Sequence, residues 1–203
     1  LLVADEVLTG FGRTGKWFAV EHSDVVPDML VMAKGLTAGY APLGALGLKQ
    51  ELAAYFDNRM LWAGLTGYAH PISCAAALAT IEGMEDEKLI ERSRELGVLL
   101  QERLNVFADR FEHVGEGRAR GLYGVIEFVV PGGGKTPLVA EGATGKDAQA
   151  LDGVRTALKG LGVHMAVKGP RAFIAPPLTI EPELLTEGLD RLENAMEIGF
   201  GTV

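Results

Sequence analysis

The run Asp5-Glu6-Val7-Leu8-Thr9-Gly10-Phe11-Gly12-Arg13-Thr14-Gly15, with Met32-Ala33-Lys34-Gly35-Leu36 close behind it, sets the frame for the rest of the chain. Each block begins where a short apolar run ends. Leu1 to Ala4 is stopped by Asp5-Glu6, and Met29 to Ala33 is stopped by Lys34-Gly35. A third run, Leu43 to Leu48, is broken by glycines. Apolar runs of this length, without polar alternation, suit strands covered on both faces, as in an α/β sheet. Asp5 and Lys34 then fall just past the carboxyl ends of two strands, where open α/β sheets place ligand chemistry. Taken singly, an acid after a strand is a cap and a lysine after a strand is solvated. Taken together, a carboxylate and an amine at two strand ends are a chemical pair. A lysine desolvated in such a place has a lowered pKa and can form a Schiff base with a carbonyl. A carboxylate beside it can keep a pyridinium nitrogen protonated. Those are two requirements of pyridoxal phosphate chemistry.

In its Asp-Glu-Val, its Gly-Phe-Gly-Arg-Thr-Gly and its Ala-Lys-Gly, with Asp5 and Lys34 29 residues apart, the block resembles the signature of class III aminotransferases. These are subgroup-II enzymes of the fold-type I pyridoxal phosphate family. The likeness continues through Gly64-Leu65-Thr66, Ala69-His70-Pro71, Arg118 to Gly124 and Ala175-Pro176-Pro177-Leu178-Thr179-Ile180, and so covers nearly the whole chain. The resemblance implies an α/β fold: the C-terminal part of a fold-type I large domain over residues 1–76, then connecting helices and a small α+β C-terminal domain over residues 77–203. It implies pyridoxal 5'-phosphate as cofactor, with Lys34 as the Schiff-base lysine. Asp5 would pair with the pyridine nitrogen, Val7 would pack on the ring, and Thr66 would bind the cofactor phosphate of the neighbouring subunit in a homodimer with shared active sites. The implied reaction is ping-pong transfer of an amino group from a primary amine or ω-amino acid to a keto acid such as pyruvate or 2-oxoglutarate. An aminomutase or decarboxylase of the same family would keep the same lysine, and dependence on a stoichiometric keto acceptor separates these from a transaminase. A truncated, inactive chain is the remaining alternative.

One departure bears on substrate. Many family members acting on α-amino acids carry an arginine three residues before the Pro-Pro pair, where it grips the α-carboxylate bidentately. That position is Phe173 here. Arg171, two residues earlier, has the even offset that keeps it on the same strand face, and it is the candidate substitute.

Elsewhere the sequence reads as helices and short strands. Pro71 suits the first turn of an alanine-rich helix over Ile72 to Met84. Leu89, Leu96, Leu100, Leu104, Phe107 and Phe111 make the apolar stripe of a second helix. Leu122 to Val130 is the strongest strand of the C-terminal part, and Ala148 to Leu161 a helix. His164 to Val167 and Ala172 to Ala175 are strands around Lys168-Gly169-Pro170. Leu185, Leu189, Leu192 and Met196 line a last helix that has Pro182 near its start.

Composition narrows the classes further. The 203 residues carry 19 basic against 27 acidic side chains, a net charge of −8, so no basic stripe points to nucleic acid. No apolar run is long enough to span a bilayer. The single cysteine, Cys74, forms no internal disulfide and fits a reducing cytoplasm. Four scattered histidines and one cysteine predict no metal site. Gly132-Gly133-Gly134-Lys135-Thr136 lacks the first glycine of a phosphate-binding P-loop, because Val129 stands there. The opening Leu1-Leu2-Val3-Ala4 has no basic n-region and reads as a chain entered in mid-domain, the C-terminal portion of something longer.

Overall fold

Residues 1–201 are described in a computed structural model. They form two units, Leu1–Arg94 and Glu95 onward.

In the first unit, β1 (Val3–Asp5), β2 (Met29–Met32) and β3 (Ala45–Leu48) form a sheet in that order. β1 and β2 are parallel, with Asp5 opposite Val31, and β3 is antiparallel to β2. A parallel pair needs a long crossover. It is supplied by the glycine-rich segment after Asp5 and a 3-10 helix over Ala19–Ser23. After β3 come α1 (Gln50–Ala54) and α2 (Pro71–Asp86), which has Pro71 in its first turn, where a missing N–H costs nothing. α2 packs against the 3-10 turn Lys34–Leu36.

β1 and β3 alternate between half-buried and exposed positions, and Leu46 is 56% exposed. In β3 the large residues Leu46 and Leu48 share one face while Ala45 and Gly47 share the other. The apolar run therefore conceals a period of two.

The second unit is an antiparallel sheet under three helices. Its strands are β4 (Val114–Arg120), β5 (Tyr123–Phe128), β6 (Ala166–Lys168) and β7 (Arg171–Ile174), in the order β4-β5-β7-β6. The unit boundary falls inside α3 (Leu89–Arg110), and α4 (Asp152–Gly160) and α5 (Pro182–Phe200) follow. The predicted stripes are the core: Leu100, Leu104 and Phe107 of α3 and Leu185, Leu189, Leu192 and Met196 of α5 are buried with Ile126, Phe128 and Ala172 of the sheet. Fully burying one such large side chain contributes about 1.5–3 kcal/mol. Arg103 ties α3 to Asp190 and Glu193 of α5, each at 2.7 Å, and Arg110 pairs with Glu193 and Glu197. Two close approaches require glycine. A Cβ on Gly97 of α3 would lie 2.6 Å from the Gly121 Cα, and one on Gly199 of α5 would lie 2.4 Å from the Val154 nitrogen in α4.

The expected 148–161 helix divides into a 3-10 stretch, Gly145–Leu151, and α4. β4 was not expected as a strand. Its sequence Val-Gly-Glu-Gly-Arg-Ala-Arg has one β-branched residue, and its pairing with β5 supplies what propensity does not. Gly133 to Thr136 closes a tight turn, in which the Thr136 hydroxyl donates to the Gly133 carbonyl at 2.8 Å.

Candidate active site

Asp5 is the last residue of β1, and Lys34 follows β2 by two residues. Because the strands are parallel and Asp5 lies opposite Val31, their carboxyl ends open on the same side of the sheet. Adjacent strands lie about 4.8 Å apart, so carboxylate and amine rise from neighbouring strand ends. Both residues are exposed, and Val7 is half-buried.

Local hydrogen bonds orient each group. The Val7 amide donates to Asp5 Oδ1 at 3.0 Å, an Asx turn that fixes the carboxylate and leaves Oδ2 to a ligand. Lys34 has φ +44° in the left-handed region, where a side chain is strained by about 1–3 kcal/mol. Its carbonyl accepts from the Thr37 amide at 3.2 Å, and the turn is completed by the Ala33 carbonyl accepting from Leu36 at 3.0 Å. The strain is tolerated because Leu36 and Thr37 are buried behind it and α2 supports the turn. The next residue has to be glycine: a Cβ on Gly35 would lie 2.8 Å from the Phe11 Cβ.

The glycine-rich segment wraps this end of the sheet. Phe11, at φ +58°, donates its amide to the Trp17 carbonyl at 2.7 Å and stacks edge-on against Phe18, with centroids 5.5 Å apart. The Phe18 side chain is thus bound up in loop packing. Burial pushes the Arg13 guanidinium below its usual range, though an arginine stays charged at neutral pH. The Ser93 hydroxyl donates to the Arg13 carbonyl at 3.3 Å.

The sequence did not single out Glu6, which it took with Asp5 as the end of the apolar run. Its side chain is buried. Strand parity was the available signal, because the residue after an outward Asp5 faces inward.

Thr66 lies in an exposed turn at residues 66–69, and no hydrogen bond among the described residues joins it to Asp5 or Lys34. Arg171 belongs to the second unit, on β7. It pairs with Glu127 at 3.2 Å and with both oxygens of Glu141, at 2.9 and 2.8 Å. The hydrogen bonds to Glu127 and then Glu141 hold its pKa above the usual arginine value. Phe173, on the same strand face as Arg171, lines a cavity of about 460 Å³ with His164, Pro176, Pro177, Leu184 and Leu189. His70 precedes α2, and its carbonyl accepts from the Cys74 amide at 3.0 Å, while Cys74 is half-buried.

A carboxylate and a primary amine borne by neighbouring strand ends form a donor set that fits an aldehyde-bearing pyridine cofactor. Comparisons with known proteins agree. The family model for aminotransferase class-III matches residues 1–196. The chain is 37% identical over 201 residues to 4-aminobutyrate aminotransferase of Mycobacterium leprae, covering 97% of this chain and 42% of that protein. It is 35% identical over 197 residues to an alanine/serine racemase of Pyrococcus horikoshii, covering 97% and 39%. Among solved structures, taurine:2-oxoglutarate aminotransferase from Bifidobacterium kashiwanohense, in complex with PLP and glutamate, has a TM-score of 0.92 at 31% identity, covering 100% of this chain and 45% of that one. The chain thus spans about two fifths of the length of the curated relatives it matches.

Proposed function

The chain belongs to the class III aminotransferase family, and from that premise we propose that it is the C-terminal portion of a pyridoxal phosphate-dependent transaminase. Its fold is that of a fold-type I transferase. The observation that carries the reading is the placing of Asp5 and Lys34 at the carboxyl ends of adjacent parallel strands. When bound, pyridoxal phosphate supplies an electron sink for the carbanion left as a substrate amine loses its α-proton. Lys34 would hold the cofactor through Nζ, and the same amine would move the substrate α-proton as general base and acid. Asp5 would keep the ring nitrogen protonated through Oδ2, and the Val7 side chain would pack on the ring. Thr66 binds the phosphate of the neighbouring subunit's cofactor, which makes the active form a homodimer.

Residues 1–76 complete the cofactor-binding domain in this reading, with the connecting helices and small domain after them. The donor is a primary amine or ω-amino acid and the acceptor a keto acid such as pyruvate or 2-oxoglutarate. The names of two relatives, 4-aminobutyrate aminotransferase and putrescine–pyruvate aminotransferase, support that class, and so does Phe173 in place of a carboxylate-binding arginine. Arg171 is the remaining candidate for a substrate carboxylate, and it would release Glu141 to take one. In this reading the protein works in the cytoplasm on small molecules, a location that its single cysteine, Cys74, fits. No described helix is long and apolar enough to cross a membrane.

A second reading is a racemase, since a relative of that name is 35% identical. It shares the lysine and needs no keto acceptor. The test is borohydride reduction after pyridoxal phosphate is added, with mass mapping of the modified peptide. The expected result is one label, on Lys34, and amino transfer that consumes one keto acid per amine. Label scattered over surface lysines of folded protein would sink the assignment.

A further inference from the structure

Among the described residues Glu6 is the one buried charged side chain, at 2% exposure. The chemistry proposed above does not use it. A carboxylate enclosed in this way is costly unless its oxygens are bonded, and here they are. The Val20 amide donates to Oε1 at 2.8 Å, and the Thr9 hydroxyl donates to Oε2. The Glu6 backbone is held as closely. Its amide donates to the Val31 carbonyl of β2 at 2.9 Å, and its carbonyl accepts from Gly10 at 3.0 Å. One residue therefore ties the end of β1 to β2, to the glycine-rich turn and to the start of the 3-10 helix at Ala19.

These ties lead to both ends of the reacting pair. On one side Glu6 is bonded covalently to Asp5 and is followed by Val7, whose amide orients the Asp5 carboxylate. On the other, the Glu6 carbonyl fixes Gly10, a Cβ on which would meet that carbonyl at 2.8 Å. Phe11 follows and presses on Gly35 so closely that a Cβ there would lie 2.8 Å from the Phe11 Cβ. Gly35 adjoins Lys34.

We propose that Glu6 is a positioning residue that sets the separation of the Asp5 carboxylate and the Lys34 amine through the turn it fastens. This rests on the assignment of those two groups to the cofactor. Glu6 touches neither substrate nor cofactor; it acts through backbone placement. A misplacement on the order of 1 Å between reacting groups costs roughly a hundredfold in rate.

The test uses the full-length enzyme, in unsubstituted form and as Glu6→Ala, Glu6→Gln and Thr9→Val. Three readouts are taken: the visible circular dichroism of the bound cofactor, kcat and KM for the amine, and amide hydrogen exchange at Gly10, Phe11 and Val20 in cofactor-free protein. In Glu6→Ala the three amides exchange faster, the dichroic band shrinks, and kcat falls roughly tenfold to a hundredfold with KM little changed. Glu6→Gln keeps an oxygen for the Val20 amide and restores most of each signal. Thr9→Val gives a smaller loss in the same direction. A lower melting temperature with unchanged dichroism and kcat would make Glu6 merely structural and overturn the proposal. If Glu6→Ala does not fold, Thr9→Val decides by the same criterion. Borohydride labelling of Lys34 in the unsubstituted enzyme separates the two layers. No label there overturns the assignment, and the proposal falls with it. A label there, with variants indistinguishable from the parent, overturns the proposal alone.

Discussion

Replacing Gly97 and Gly188 by alanine, one at a time, should move stability in opposite directions. Both glycines lie inside long helices, α3 and α5. In each helix, alanine gains about 0.8–1.0 kcal/mol over glycine from reduced backbone freedom in the unfolded chain. At Gly188 no atom lies within 4 Å of the added Cβ, so that gain is realised in full. At Gly97 the Cβ would meet the Gly121 Cα at 2.6 Å, its oxygen at 2.7 Å and its carbonyl carbon at 2.8 Å. All three are backbone atoms of the turn between β4 and β5, so no rotamer relieves the overlap and the turn itself has to shift. Overpacking of this kind costs about 1–3 kcal/mol. Contact on three backbone atoms puts Gly97→Ala at the upper end of that range, leaving a net loss of about 1–2 kcal/mol after the helix gain. The difference between the variants is then about 2–3 kcal/mol, or on the order of 10 °C in the melting of a unit of this size. Thermal unfolding of both variants, followed by far-ultraviolet circular dichroism, measures it. A Gly97→Ala protein as stable as Gly188→Ala would refute the claim that the helix and turn backbones meet there.

Gly35→Ala should be felt beside Lys34: the Cβ strikes the Phe11 Cβ at 2.8 Å, so borohydride labelling of Lys34 should fall several-fold, and the overpacking should lower stability by about 1–3 kcal/mol. Asp28 bonds Lys49 at 2.8 Å and accepts from the Leu2 amide, and the Lys49 hydrogen bond holds its pKa below the ordinary value. With the folded value depressed, this stabilisation is present above the unfolded-state value of about 3.9 and is lost as pH falls through the folded one. Asp28→Asn should therefore flatten the acid limb of a pH–stability profile below about pH 4 and leave the neutral region flat. Arg171→Met should raise KM for the keto acid while kcat stays near that of the parent, and an unchanged KM would leave Arg171 as a tie between Glu127 and Glu141.

The parts of this molecule legible in the sequence are those whose signal is local. Pro71 announces α2, the leucine stripes of α3 and α5 name the core of the second unit, and the breaks after two apolar runs put Asp5 and Lys34 at strand ends. What was not legible depends on partners remote in sequence. β4 is a strand because β5 pairs with it, not because Gly and Ala favour extension. The hold on Arg171 comes from Glu127 and Glu141, 44 and 30 residues away, which meet it only through sheet register and a loop. Glu6 was within reach, since alternation along β1 alone turns it inward.

The three-stranded sheet of the first unit has colloidal consequences. Its outer strands β1 and β3 have no pairing partner on their far edges among the described residues, and they present Val3, Leu46 and Leu48 at the surface. Exposed apolar edges are templates for further strands. What opposes their meeting is the net charge of −8, which repels over roughly 8 Å at physiological ionic strength and over about 3 Å in molar salt. Solutions of the chain by itself should therefore stay clear at low salt and turn turbid as salt is raised.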